Sequence, residues 1–557
     1  MQGRCRGFDS HRLHHCCQSG RRPPGRVRAK EDIVIHSDPT RPNVLFIICD
    51  QLRADHLGFA GNSVVRTPYI DSIAESGTVF DRAYVNNPVC MPNRSTIMTG
   101  RMPSAHGVIF NDRSLDPNVT TFVAQLRDAG WRTSLIGKSH LQHGESRAAV
   151  VDFGKNPGVR SVFDEGWDTL EHQERYESGN PPDPDDFYGF NHIELAVGHG
   201  SFAGAHHYLW ARDRGVSHEV LRSGLDPSAD IAGRSPEWWQ IHPAPFAEDA
   251  YSTAFVTERT IEAIEQADGA DVPWMVWCSF PDPHHPLSPP EPWFSRHHPD
   301  EIDLPSTFDD PGDDWPEHIR TIKKMGPEMG GHGQYVVPFG PTPAQTRAAI
   351  AATYGMIEAI DDGIGKILAA VERLGATEDT IVIFTSDHGD MMGDHGIMLK
   401  SGMHFQGCLK VPLVVNVPGR AGHRTNSLAA SIDLPHTVLD LCGVPEFHGM
   451  QGVSLVPLLD DAYASVRDHV LVEDDFPIAE VLPLLPLKIR TVVTETHRYS
   501  RDSGGHESLY DLVADPNELV NLAVDGRDVG ARNQMVSTMV DAMMTADDLT
   551  RTGPVSL

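Results

Sequence analysis

Short apolar runs alternate with amphipathic stretches along most of this chain. NVLFIICD (residues 43–50) is unbroken by polar alternation and too short for a helix of that composition. Such a run fits a strand buried on both faces, with Asp50 at its carboxyl end. DVPWMVWCSF (271–280) and DTIVIFTSD (379–387) repeat the pattern, the second again ending in an acid, Asp387. Between them lie helical periods. TPYIDSIAESGTVF (67–80) predicts a helix stopped at Gly77 and a strand near VFDRAYV. TTFVAQLRDAGWRTSLIGKSH (120–140) predicts a helix, a stop at Gly130 and the strand TSLIG. The segment 348–376 predicts one long helix or two, ending at Gly375, and VPLVVNVPG (411–419) a further strand. Strands alternating with helices give an α/β fold with a largely parallel central sheet.

The pattern changes twice. Residues 145–250 are rich in Gly, His and aromatics with weak periodicity, as expected of an insertion that shapes a substrate pocket. Trp210, Trp238, Trp239 and the His206-His207 pair are its candidates for substrate contact or for lid packing. From residue 465, HVLVEDD, KIRTVVTETHRYSR and ESLYDLVADPNELVNLA predict antiparallel strands and a closing helix, hence a smaller C-terminal α+β subdomain over 465–557. The catalytic α/β domain is then 41–464, preceded by residues 1–40 as a disordered tail or an over-extended start.

Composition narrows the class. With 557 residues, 40% hydrophobic and 22% charged, the chain reads as an ordinary globular protein. A formal charge of −31 argues against nucleic acid as the main partner, while leaving room for a local cation cluster that binds a small anion. Eight cysteines, three of them in the first seventeen residues, form no disulfide framework and suggest a reducing, cytoplasmic setting. The first 30 residues lack the apolar core of a secretory signal, and no run predicts a membrane span.

Ligands of open α/β sheets bind beyond the carboxyl ends of the strands. Asp50 and the Asp387-His388 pair lie there, and two hard oxygens with an imidazole suit a divalent cation. So do five side chains that are cationic or can become so: Arg94, Lys138 and His140 in GKSH, His284 in PDPHHP, and Lys400. Collected, they would form an anion hole. In NNPVCMPNRSTIMTG (86–100), Cys90 has no neighbouring cysteine for a metal pair or disulfide; it is either a buried thiol or the source of a nucleophile.

Taken together, these motifs resemble the type I sulfatases of the alkaline phosphatase superfamily. The resemblance rests on the C-x-P-x-R sequence Cys90-Met91-Pro92-Asn93-Arg94 followed by Thr99-Gly100, and on NVLFIICDQ, GKSH, PHHP, FTSDHGDMMGDHG and LYDLVADPNELVNLA in that order, across residues 43–525. It implies an alkaline phosphatase-like α/β/α sandwich. Cys90 would be converted to formylglycine by a sulfatase-maturing enzyme, and the hydrated aldehyde would attack the sulfur of a small-molecule sulfate ester. Asp50, Asp387, His388 and residue 90 would hold one divalent cation, expected to be calcium. Arg94 would support the formylglycine. Lys138, His140, His284 and Lys400 would contact the sulfate and the leaving alcohol, and Asn111 would face the oxyanion.

Gln51 and His388 stand where many sulfatases carry a second Asp and an Asn. That pairing resembles the choline-sulfatase and phosphonate monoester hydrolase branch, admits manganese as the alternative ion, and leaves Gln51 either a weak ligand or a hydrogen-bonding group. Lys138 and His140 replace uncharged groups of the phosphonate hydrolases. His404, in GMHFQGCLKVP, is either a substrate contact or a buried structural histidine. The rival readings are a phosphonate monoester hydrolase or phosphodiesterase with the same nucleophile, and a non-catalytic anion-binding protein that keeps its thiol. The sequence leaves a homo-oligomer open.

Overall fold

The computed structural model describes residues 41–111, 113–144, 163–164, 166–179, 181–268, 272–326, 338–476 and 488–546. The expected tail at 1–40 and the opening of the insertion at 145–162 lie outside these residues. Those described belong to one compact unit, Ser37–Leu557.

Eight strands form the main sheet in the order β4-β3-β5-β1-β6-β7-β2-β8. They are β1 (Asn43–Cys49), β2 (Thr78–Tyr84), β3 (Arg132–Gly137), β4 (His192–Leu195), β5 (Trp274–Phe280), β6 (Thr380–Ser386), β7 (Leu413–Asn416) and β8 (His423–Ala430). Only β7 runs antiparallel to its neighbours. The apolar runs that announced β1, β5 and β6 become the three adjacent central strands, and all but the first residue of β1 is buried. Two hydrophobic layers cover the two faces. Phe46 stacks on Trp277 at 4.4 Å between ring centroids on one face, and the helix Pro343–Arg373 packs on the other. The segment 348–376 is therefore one helix, with Gly375 just beyond it at φ +71°.

Two expectations change. The insertion at 145–250 is not merely peripheral loop: it supplies β4, the edge strand paired in parallel with β3. The strand HIEL alternates polar and apolar, with its burial alternating in step, but four residues are too few to stand out in the sequence. The closing helix lies at Val529–Thr545 rather than in the DPNELVNLA stretch, which forms turns. A second, antiparallel sheet orders β9 (His469–Asp475), β10 (Lys488–Thr494), β11 (His497–Asp502) and β12 (Glu507–Asp511) as β12-β11-β10-β9.

One backbone approach fixes the end of β3. Gly137 has φ +99°, and a Cβ there would fall 1.9 Å from the Ser279 carbonyl of β5. Gly375 has a similar φ but open space around it. Gly137→Ala should therefore lower stability by about 2 kcal/mol or more, whereas Gly375→Ala should cost about 1 kcal/mol, since only the left-handed backbone penalty applies. Equilibrium urea unfolding of both variants checks the difference.

Candidate active site

The strand ends assemble the site. Because β4, β3, β5, β1 and β6 are parallel neighbours, the residues that follow them fan along one edge: His199, Lys138, His284, Asp50 and Asp387 in sheet order. Cys49 pairs with both Phe280 and Ser386, so Asp50 and Asp387 emerge side by side. Opposite them stands the helix Cys90–Thr99, all ten of whose residues are buried. Cys90 is its first residue. Pro92 falls in the first turn, where a missing N–H costs nothing, and Arg94 lies one turn on, on the same face as Cys90. The Met91 N–H, left open by the helix start, donates to Asn111 Oδ1 at 3.1 Å. The helix N-terminus thus aims its positive end at this space, which favours an anion.

Asp50, Cys90, Asp387 and His388 present ligand atoms that lie within 4.8 Å of one another, all buried. His388 Nδ1 donates to the Gly389 carbonyl at 2.8 Å, leaving the Nε2 lone pair to face Cys90 Sγ at 3.1 Å and Asp50 Oδ1 at 3.5 Å. An imidazole fixed through a carbonyl, beside two carboxylates, is the donor set of a divalent cation. A second group, Asp50, His199 and His284, shares Asp50. It already holds the Lys138 ammonium, which contacts Asp50 Oδ2 and lies 2.6 Å from His199 Nε2, so the first group is the better cation site.

Basic groups close the space. Arg94 donates through Nε to Asp387 Oδ2 at 2.7 Å and through Nη1 to the Lys138 carbonyl and Ser279 Oγ. Lys400 bonds Gln51 Oε1 and lies 3.5 Å from Cys90 Sγ. Burial opposes ionisation of Asp50, but Lys138, Lys400 and Arg94 outweigh it and hold its pKa well below the usual range. Burial, assisted by nearby cations, pushes His140, His199 and His284 well below theirs, so all three are neutral. The same burial, with Asp50 adding to it, raises the Cys90 thiol to about 11. A thiol so protonated is a poor nucleophile at neutral pH.

Supports surround the reactive loops. Gln51 and His140 flank the site with positive φ (64° and 56°), as do Leu399 and Ser401 on either side of Lys400 (73° and 82°). Such conformations cost energy and persist only when held. Glu171 accepts the backbone N–H groups of His140, Leu141 and Gln142 at 2.9, 3.0 and 2.8 Å. Asp390 accepts from Gln51 Nε2 and from the N–H of Leu399.

Among the sequence candidates, Asp50, Cys90, Arg94, Lys138, Asp387, His388 and Lys400 converge, with His140 and His284 at the rim of the cluster. Gln51 borders the four ligand atoms: its backbone N–H donates to Asp387 Oδ1 at 3.0 Å, and its side chain meets Lys400, Asp390 and His285. His404 lies apart: its ring nitrogens bond Thr491 Oγ1 and Asp474 Oδ2 in the second sheet, the structural alternative. Trp210 packs on Phe255 and Arg214. His207 spends both ring nitrogens on backbone carbonyls, and His206 accepts the Leu195 N–H. Trp238 alone of these reaches the site's margin, against His285. His199, His285, Glu171 and Asp390 were not anticipated. His199 stacks on His284 at 3.5 Å between centroids. The strand-end rule would have found it had β4 been recognised.

Asp387→Asn should remove the one divalent cation bound by this four-residue group, read as a loss of one calcium or manganese per chain by metal analysis after dialysis. Glu171→Ala frees three buried N–H groups and should cost about 3 kcal/mol or more in urea unfolding, at roughly 1–3 kcal/mol for each group left unpaired.

Comparison with known proteins agrees with this geometry. The family model described as "Sulfatase" matches residues 42–444. A second, "N-sulphoglucosamine sulphohydrolase, C-terminal", matches 393–545. An arylsulfatase of Clostridium perfringens is 27% identical, over 86% of this chain and 90% of its own. A choline-sulfatase of Rhizobium meliloti is 25% identical, over 87% and 83%. The phosphonate monoester hydrolase of Agrobacterium radiobacter superposes with a TM-score of 0.73 at 27% identity, over 93% of this chain and all of its own. With a family match over most of its length and the cluster in place at the strand ends, this chain belongs to the sulfatase family, sulfuric ester hydrolases of the alkaline phosphatase superfamily.

Proposed function

We propose that the protein hydrolyses a sulfate monoester to an alcohol and inorganic sulfate at residue 90, matured from cysteine to formylglycine, beside one divalent cation held by Asp50, Asp387 and His388. The observation that carries this reading is the meeting of Cys90, at a helix N-terminus, with those three ligands and with Lys138 and Lys400. The buried thiol's raised pKa supports the need for conversion. Hydrated formylglycine supplies an oxygen nucleophile for sulfur and a second hydroxyl that lets sulfate depart, while the cation offsets the charge that otherwise repels attack.

The chain's own groups divide the remaining work. Arg94 fixes the Asp387 carboxylate. Lys138 and Lys400 donate to terminal sulfate oxygens, where preorganised charge lowers the barrier. His284 Nδ1 donates to the His285 carbonyl at 2.6 Å, so its Nε2 carries a lone pair. A neutral imidazole in that tautomer is an acceptor, which favours Lys400 over His284 as the proton donor to the departing alcohol. His140, also neutral, is suited to take a proton as sulfate leaves. Calcium is the proposed ion, with manganese favoured by any loss of carboxylate ligation.

The phosphonate monoester hydrolase reading has two observations behind it, the fold similarity at 27% identity and the Gln51–His388 pairing. Lys138 argues against it. A sulfate monoester offers three terminal oxygens, whereas a diester offers two and needs room for a second substituent. On this reading Lys138 and the stacked His199–His284 pair, which lie together beside Asp50, take the room that a second substituent would need.

Cys90→Ala should fold normally and lose turnover, and the tryptic peptide spanning residue 90 should show the mass of the aldehyde in place of the thiol. With one aryl leaving group on both esters, wild type should prefer the sulfate. Lys138→Ala should lower sulfate kcat/KM by about one to two decades, the worth of one charge-assisted hydrogen bond of roughly 1.5–3 kcal/mol, and leave the diester rate nearly unchanged. Equal loss on both esters, or a wild-type preference for the diester, would favour the phosphonate hydrolase instead.

A further inference from the structure

A second constellation of metal-ligating atoms lies beyond the loop that carries Lys400 and shares no residue with the first. His318, in the helix Glu317–Lys324, and Asp502 and His506, on either side of the β11–β12 turn, bring one nitrogen or oxygen each to within 4.8 Å of one another. His318 Nδ1 stands 3.7 Å from Asp502 Oδ2, and His506 Nδ1 stands 2.9 Å from the same oxygen. The atoms border a cavity of about 30 Å³, enough for an ion or a water.

The hydrogen bonding pairs Asp502 with His506, through the ring at Oδ2 and the backbone N–H at Oδ1 (3.0 Å), and leaves His318 Nδ1 facing the same carboxylate. His318 Nε2 is committed to the Gly402 carbonyl at 3.1 Å. With Nε2 carrying the proton for that bond, the neutral ring presents the Nδ1 lone pair to the carboxylate. Two acceptors then face each other in a buried place. A bound cation between them removes that repulsion, and a carbonyl holding the far nitrogen is the usual brace of a ligating histidine. The other charged groups nearby are already paired. Arg498 donates to Glu518 and to Ser500 Oγ, and His404 is spent on Thr491 and Asp474. The turn is built for the approach: a Cβ at Gly504 would fall 3.1 Å from Asp502 Oδ1 and 3.2 Å from His506 Nδ1. His506 is half exposed, which gives an ion a way in.

We propose that His318, Asp502 and His506 form a second cation site, for a divalent transition metal such as zinc. Two imidazoles and one carboxylate suit a borderline ion over calcium. An ion here would tie the β11–β12 turn to His318 and, through the Gly402 carbonyl, to the segment two residues beyond Lys400. The site would brace a loop whose backbone is strained at Leu399 and Ser401.

The probe is Zn²⁺ alone, dialysed against the metal-stripped full chain and counted by elemental analysis. Asp387→Asn, which disables the first site, should retain one tightly bound zinc. Adding His506→Ala, a change at the surface that leaves the fold intact, should weaken that binding at least as much as loss of an outer-shell partner, about 10–100-fold. In the otherwise unchanged chain, His506→Ala and Asp502→Asn should each hold one zinc fewer than wild type, and zinc should raise the melting temperature of Asp387→Asn but not of Asp387→Asn/His506→Ala. Equal zinc content and equal thermal response with and without His506 would overturn the proposal.

Discussion

Two carboxylates buried side by side impose the condition on which the rest of this structure depends. Asp50 and Asp387 follow adjacent parallel strands and are fully buried. Unpaired, such charges would cost several kcal/mol each. Arg94, Lys138 and Lys400 offset them, and every one of these is itself buried and comes from a different loop or helix. The balance holds only if the helix Cys90–Thr99, the end of β3 and the loop after β6 all arrive together. The site is therefore as much a folding constraint as a chemical one. A cation among the four ligand atoms would shift the same balance further.

Precision at such a site is maintained from behind. The positive-φ residues Gln51, His140, Leu399 and Ser401 flank the side chains of the site. Glu171 collects three N–H groups beneath His140, and Asp390 ties Gln51 to the Leu399 N–H. These carboxylates bind backbone rather than substrate. Burial raises the pKa of both, so the donors around them are what keep them useful as acceptors. Stored strain of this kind suits electrostatic catalysis, because the donors need not reorganise as charge develops.

The second sheet takes part in this arrangement. His404 and Gly402 both reach Asp474 of β9, and Asn86, next to the helix Cys90–Thr99, bonds the Leu471 carbonyl of the same strand. The C-terminal strands thus brace the two segments that carry Cys90 and Lys400. That role is invisible to motif reading, since Asp474 lies in an acidic run that resembles an ordinary strand edge.

Sequence alone was enough for the parts that rest on local physics. Unbroken apolar runs can only be satisfied by burial on both faces, so β1, β5 and β6 were legible, and with them the acids at the ends of β1 and β6. Cys90, Pro92 and Arg94 were legible through the C-x-P-x-R motif; that Cys90 opens a buried helix came only from the structure. Tertiary structure decided what depends on pairing across the chain. β4 is too short to stand out in the sequence and exists because β3 offers it a ladder. His199 became part of the site only once β4 was in the sheet. Gln51 meets Lys400 and Asp390, more than three hundred residues away, and His404 meets Thr491 and Asp474, pairings that no local pattern announces. Periodicity reports how a residue meets its neighbours in sequence; which distant group satisfies a buried polar atom is fixed only when the strands and loops have closed around it.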